Sequence, residues 1–259
     1  MTKTYPDIKT LIHHAGASLL GPQAKTIPPG KWQGLDVTYN MIEVFDNTFR
    51  VNIPETVEDL EQQCNPDLPW AYEHFKERVS GKPTNPGDTY KDWPYYKEDK
   101  YRESGQFTHT YQERIWPKEA GNSYKINEGI RYEYGDLQDV LNHLAENPGT
   151  RQAFLPIWFP EDTGVVHKGR VPRTLGYLFS YRHGYLHMTY YLRSCDYIRH
   201  FRNDIYMACM LLYWVLKNLK IMESPVNWSK VKPGRLKIDI ESLHIFEPDT
   251  LELKKRIKS

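Results

Sequence analysis

Two neighbouring stretches carry side chains suited to gripping a small, anionic, nitrogen-rich molecule. Arg193-Ser194-Cys195-Asp196 closes a strongly aromatic run containing Met188, Tyr190 and Tyr191. Arg199, Arg202, Asn203 and Asp204 then precede the most apolar run of the chain. Arginine offers a planar fork of donors and serine a hydroxyl, both suited to a phosphate. An Asn amide donates and accepts, and an Asp carboxylate accepts from an exocyclic amine, so Asn203 and Asp204 could read the edge of a base. A simpler role for Asp204 is to cap the helix that follows.

Other chemistries are excluded by what is missing. There is no GxGxxG after a strand and no GxxxxGK[ST], so the usual dinucleotide and nucleotide-triphosphate loops are absent. Neither HExxH, CxxC nor GxSxG occurs, which removes common zinc and serine-nucleophile readings. No metal site is therefore expected. The adjacent His13-His14 pair points to two faces of a helix and reads as surface. The charge balance, 34 Lys+Arg against 33 Asp+Glu, argues against a nucleic-acid polymer as partner. An aromatic fraction of 14 % argues against disorder. Cys64, Cys195 and Cys209 cannot all pair and show no ligand spacing, so a reducing compartment is expected. With no signal-like start and no apolar run of membrane length, a cytoplasmic protein with no membrane partner is expected.

These groups need elements to position them. The pattern predicts a helix over 6–20, a loop over 21–34 and a strand pair over 35–53 turning at Asp46-Asn47. Helical pieces follow over 55–79, broken by Pro66 and Pro69, and then a long irregular segment over 80–130. Leu137, Val140, Leu141 and Leu144 give a helix over 136–147, stopped by Pro148-Gly149. Strands are predicted at 152–159, 174–182, 184–193 and 235–246, with His183-Gly184 as a turn and an apolar helix over 203–220. The mixed order predicts an α+β fold in one domain, 1–259.

The run from Pro172 to Asp204 resembles the core of the thymidylate synthase superfamily. That family has a Pro-Cys-His nucleophile turn, a strand pair, an Arg-Ser-x-Asp motif and an Asn that reads the base and opens a buried helix. Here Pro172-Arg173-Thr174, Arg193-Ser194-Cys195-Asp196 and Asn203-Asp204 stand in that order without a gap. Phe201-Arg202-Asn203-Asp204 is most similar to the phage deoxycytidylate hydroxymethylases of the superfamily. Asn147-Pro148-Gly149-Thr150-Arg151 resembles the arginine turn that reaches the partner subunit's phosphate. Leu243-His244-Ile245-Phe246 resembles the strand that holds the ribose.

The resemblance implies a thymidylate synthase-like fold, with a mixed sheet around a buried central helix and flanking helices, and a homodimer. Its ligands would be a pyrimidine nucleoside monophosphate and 5,10-methylenetetrahydrofolate. It assigns Arg193, Ser194 and Arg151 to phosphate, Asn203 and Asp204 to the base, His244 and Phe246 to ribose, and Asp196 to the folate. Tyr111 would lie in the active-site loop, and Glu73 is a candidate for the active-site carboxylate. An Asp at 204, where the family's uracil-reading Asn falls, points to cytosine, which presents an amine where uracil presents a carbonyl.

One departure bears on mechanism. The family Cys adds to C6 of the pyrimidine and makes C5 nucleophilic. Arg173 occupies that place, and a guanidinium cannot act as this nucleophile. Gln152 replaces a second arginine of the phosphate turn, and Phe246 lacks the family tyrosine's hydroxyl. Three readings follow: one-carbon transfer to a cytidylate-like nucleotide without covalent activation; new nucleotide chemistry in which Arg173 binds a carboxylate or second phosphate of a co-substrate; or a non-catalytic nucleotide binder or regulatory partner of a true synthase. A surface or salt-bridged arginine is the plain alternative for Arg173.

Overall fold

Strands that alternate apolar and polar residues bury one face and pair along their edges. In chain order the elements are β1 (Thr4–Tyr5), α1 (Ile8–Ser18), β2 (Lys25–Ile27), β3 (Lys31–Trp32), β4 (Leu35–Asp36) and β5 (Met41–Asn52). They continue with α2 (Val57–Cys64), α3 (Trp70–Arg78), α4 (Tyr111–Ile115), α5 (Leu137–Glu146) and β6 (Phe154–Pro156). The last are β7 (Thr174–Arg182), β8 (Tyr185–Asp196), α6 (Arg202–Leu219), β9 (Lys232–Phe246) and α7 (Thr250–Lys258). The computed structural model describes residues 4–32, 35–93, 102–120, 135–163 and 170–258. Much of the irregular 80–130 segment, residues 94–101 and 121–130, therefore lies outside the described residues.

The main sheet runs β1-β5-β9-β8-β7-β6, with β2 on β5, while β3 and β4 form a separate pair. Pairing is antiparallel except for β1 on β5 and β8 beside β9. Leu186, Met188, Tyr190 and Leu192 of β8 and Leu236, Ile238 and Ile240 of β9 face the core. Helix α6 packs under this face, with α2, α3 and α5 around it. It is apolar on nearly every side, as a helix buried on all sides must be, and Ile205 to Leu212 are all buried. Among the described residues no helix is long and apolar enough to cross a membrane.

Local chemistry sets the ends of several elements. Asp136 and Asp139 form a reciprocal cap on α5, and Thr110 and Glu113 do the same on α4. His183 and Gly184 both take positive φ, 52° and 81°, and close the β7–β8 hairpin. Two expectations are corrected. The 35–53 segment does not turn at Asp46-Asn47; β5 continues through it, because its ladder on β9 holds one register from Met41↔Phe246 to Asn52↔Arg235. Asp46 absorbs a local kink at φ 55°. Asp204 does not cap α6. It lies inside the first turn, and Asp196 caps the wide π-type turn Tyr197–Phe201 that leads into the helix.

Candidate active site

Trp70, His74 and Arg78 recur every four residues on α3 and so share one face. All three line a pocket that is partly open to solvent, with a cavity volume of about 60 Å³. The opposite wall comes from α4, with Tyr111 and Gln112, and from the segment leading into β7, with Arg170 and Arg173. His74, Trp70, Trp93 and His200 stack in succession, with ring centres 5.1, 3.8 and 5.5 Å apart. Aromatic walls interleaved with cationic and amide groups, among them Arg78, Arg173 and Gln112, suit a small polar or anionic ligand.

Arg173 faces this pocket, and Asp204 stands behind it. Arg173 Nε donates to Asp204 Oδ2 at 3.0 Å and Nη2 to Oδ1 at 2.5 Å. The Asp204 side chain is only 2 % exposed. Burial works against the charge on Arg173, but the Asp204 carboxylate outweighs it and raises the pKa well above the usual arginine value. Tyr111 OH and Tyr190 OH each lie 3.0 Å from Thr174 Oγ1, forming a chain of hydroxyls beside the pair. Burial, and then the Asp204 charge, push the Tyr190 phenol well above its usual range.

None of the three cysteines supplies a nucleophile. All are buried. The Cys195 thiol points to Asp204 Oδ2 at 3.7 Å, and burial followed by that carboxylate raises its pKa well above the usual value. Burial pushes Cys64 and Cys209 in the same direction.

No family model matches the chain, and no curated protein matches it. Among solved structures it is similar to the thermostable thymidylate synthase A from Bacillus subtilis, with a TM-score of 0.68 and 15 % identity over 97 % of this chain and 84 % of that one. The chain has a thymidylate synthase-like fold. At this identity the match speaks for the fold alone.

On the thymidylate synthase-like frame, the residues expected at the site divide. Arg173 and Tyr111 line the pocket, with Asp204 directly behind Arg173. Asn203 is turned to Asp67, accepting from its backbone N–H at 2.9 Å and donating to its carboxylate at 2.8 Å. Arg193 donates to the Pro172 and Val171 carbonyls at 2.8 and 3.3 Å, so it braces the turn that carries Arg173. Ser194 is half-buried, and Arg151 is exposed in the turn after α5. His244 and Phe246 are buried at the end of β9, with rings 6.1 Å apart, and are not in the pocket wall. Asp196 holds Arg199 through its backbone N–H at 3.1 Å and its guanidinium at 3.0 Å. Glu73 is half-exposed and paired with Lys76 at 2.6 Å, outside the pocket. The pocket's other groups, chiefly His74, Arg78, Gln112 and His200, were not singled out by the sequence.

The stacked histidines make the fold acid-sensitive. Burial, and then the Arg78 charge, lower His74 to about 4. Burial followed by Arg173 lowers His200 well below the usual value. An unfolded histidine takes a proton near pH 6.5, while folded His74 resists until about 4. The stabilising difference is therefore present above pH 6.5 and is lost as pH falls toward 4. For His74 alone the loss between pH 7 and pH 5 is about 2 kcal/mol. Urea unfolding at the two pH values should show it, and His74→Gln should flatten the dependence. A midpoint that does not move would contradict neutral, buried histidines.

Proposed function

We propose that this chain is a nucleotide-modifying transferase that binds a pyrimidine nucleoside monophosphate, cytidylate-like in its base, and acts on it without a covalent thiolate step. The observation that supports this reading is Arg173, facing the pocket where the resemblance expects a cysteine and fixed from behind by Asp204. A guanidinium has five N–H donors, and Asp204 engages two. In this reading the donors left over form the fork that meets the ligand, since Arg173 lines the pocket. Cytosine offers two adjacent acceptors, N3 and O2, that match such a fork, whereas uracil carries a hydrogen on N3 and opposes it. Arg173 thus takes over base reading, and Asp204 orients it.

Arg173 cannot add to C6, so C5 is not activated through a covalent adduct. The acceptor atom must be intrinsically more nucleophilic, such as an exocyclic amine or a group already attached to the base. The Tyr111–Thr174–Tyr190 hydroxyls can carry a proton to or from that atom along hydrogen bonds of 3.0 Å. The residues fit 5,10-methylenetetrahydrofolate poorly at the position the resemblance offers it. The Asp196 carboxylate is 3 % exposed and already engaged by Arg199, and nothing in the proposed reaction depends on a folate. The reading includes a homodimer. Phe154, 41 % exposed, and the half-buried Tyr191 lie on the sheet face away from α6, and exposed Arg151 would serve the partner's pocket.

Thermal shift with dCMP and dUMP tests this reading, on material checked by light scattering for twice the chain mass. At a hundredfold excess over its Kd, a ligand adds about 2.7 kcal/mol of apparent stability. For a chain of this size that is roughly 5–10 °C. dCMP should give such a shift and dUMP a smaller one, and Arg173→Met should abolish the difference. C5-tritiated dCMP should release no tritium. Equal shifts with both nucleotides, or none with either, would remove the reading.

A further inference from the structure

Arg78 is buried to 6 % exposure and lines the pocket. Among the described residues its guanidinium has no hydrogen-bond or ion-pair partner, and its Nε is buried without an acceptor. Its contact is with the face of the Tyr111 ring, 4.1 Å away. The nearby acids do not answer it. Asp204 is forked by Arg173. Glu77 accepts from the Asp88 and Thr89 backbones, the Thr89 hydroxyl and Gln112 Nε2.

Among the described residues, Trp70 and Gln112 each add a buried polar atom without a partner to the lining of the same pocket. Trp70 Nε1 is a donor without an acceptor, and Gln112 Oε1 is an acceptor without a donor. The Gln112 amide orientation is set by its Nε2, which donates to the Glu77 carboxylate at 3.0 Å; the flipped amide would put oxygen against oxygen. Folded proteins pair nearly all such atoms, and Arg78 Nε, Trp70 Nε1 and Gln112 Oε1 together describe the complement of a ligand.

We propose that the pocket holds a second subsite, separate from base recognition at Arg173, in which Arg78 binds the carboxylate of a small co-substrate with an N–H donor beside it, the class to which free amino acids belong. The planar guanidinium fork matches a carboxylate, the Trp70 N–H adds a donor, and Gln112 Oε1 takes the ligand's N–H. One guanidinium without a counter-charge matches one negative charge, which favours a carboxylate over a phosphate dianion. The subsite does not depend on the nucleotide reading.

Thermal shift and titration calorimetry on the full chain test it, with glycine, L-glutamate, acetate, inorganic phosphate and, separately, dCMP and dUMP. Glycine or glutamate should stabilise the protein more than acetate, and phosphate should not. Arg78→Met should weaken the amino-acid response by at least about tenfold, the effect of losing a charged hydrogen-bonded pair. It should leave the preference for dCMP over dUMP, which Arg173 sets, in place. Without ligand, Arg78→Met should also raise Tm by about 2–4 °C, because an unpaired buried charge has gone. Arg78→Lys, which keeps the cation but not the fork, should weaken the amino-acid response as well. The proposal fails if amino acids leave wild type unshifted, if phosphate shifts it as much as they do, or if Arg78→Met lowers the ligand-free Tm as loss of a structural arginine would. A wild-type protein that shifts with the amino acids and not with dCMP would count against the nucleotide reading and in favour of this one.

Discussion

Asp204→Ala is expected to lower the unfolding free energy by about 3–5 kcal/mol, the range for stranding one member of a buried ion pair. Arg173 has only 15 % side-chain exposure, and among the described residues its guanidinium makes two hydrogen bonds, both to Asp204. Removing the carboxylate leaves a guanidinium that water reaches poorly and that cannot neutralise itself. In a chain of this length the loss corresponds to roughly 10 °C in Tm. The double variant Arg173→Met/Asp204→Leu should recover most of it, since apolar residues of similar volume often replace a buried pair at little cost. Urea unfolding of wild type, Asp204→Leu, Arg173→Met and the double variant closes a cycle whose coupling term measures the pair. A single variant as stable as wild type would mean that solvent already screens the fork. The same substitution should erase the distinction between dCMP and dUMP, because an unanchored Arg173 no longer presents a fixed fork.

The elements legible in the sequence are those whose pattern is local and strong. The apolar run of α6, the leucine spacing and Asp136 cap of α5, and the His183-Gly184 turn each carry their own signal over a few residues. β5 is not of this kind. Asp46-Asn47 has the local chemistry of a turn, but a ladder with β9 that keeps one register on both sides of Asp46 overrides it, and that partner lies about two hundred residues away in sequence.

The site divides for a related reason. The order of motifs points to Arg173 and Asp204 separately. Their fork joins residues 31 apart and depends on β7 and α6 meeting, which spacing does not report. Asn203 and Asp196 carry the right groups for a ligand, yet Asp67 and Arg199 reach them first. On α3 a signal was present and unused. The i, i+4, i+8 spacing of Trp70, His74 and Arg78 marks a single polar-aromatic face, whereas Glu73 lies on the side where Lys76 pairs with it.

Asp162→Ala should be about as damaging as Asp204→Ala, about 3–5 kcal/mol, and for the same physical reason. Arg114 and Asp162 have side-chain exposures of 1 % and 0 %, and the guanidinium forks onto the carboxylate at 2.7 and 3.0 Å. Asp162 also accepts from the Phe159 backbone N–H at 2.8 Å. Arg114 belongs to α4, a helix of five residues that is too short to persist by itself. That helix carries Tyr111 and Gln112 into the pocket, so the Arg114–Asp162 clamp fixes one wall of the site from the side away from the ligand. The expected signature has two parts: a lower urea midpoint, and faster hydrogen exchange at the amides of 111–116 than at those of α6. Ligand binding should weaken as well, because Tyr111 loses its alignment on Thr174 and on Arg78 together. Asp204→Ala should instead leave the α4 amides protected while removing base discrimination. If Asp162→Ala lowers stability but exchange at α4 stays slow, the clamp holds the 157–162 segment alone, and the pocket wall rests on the Thr110–Glu113 cap.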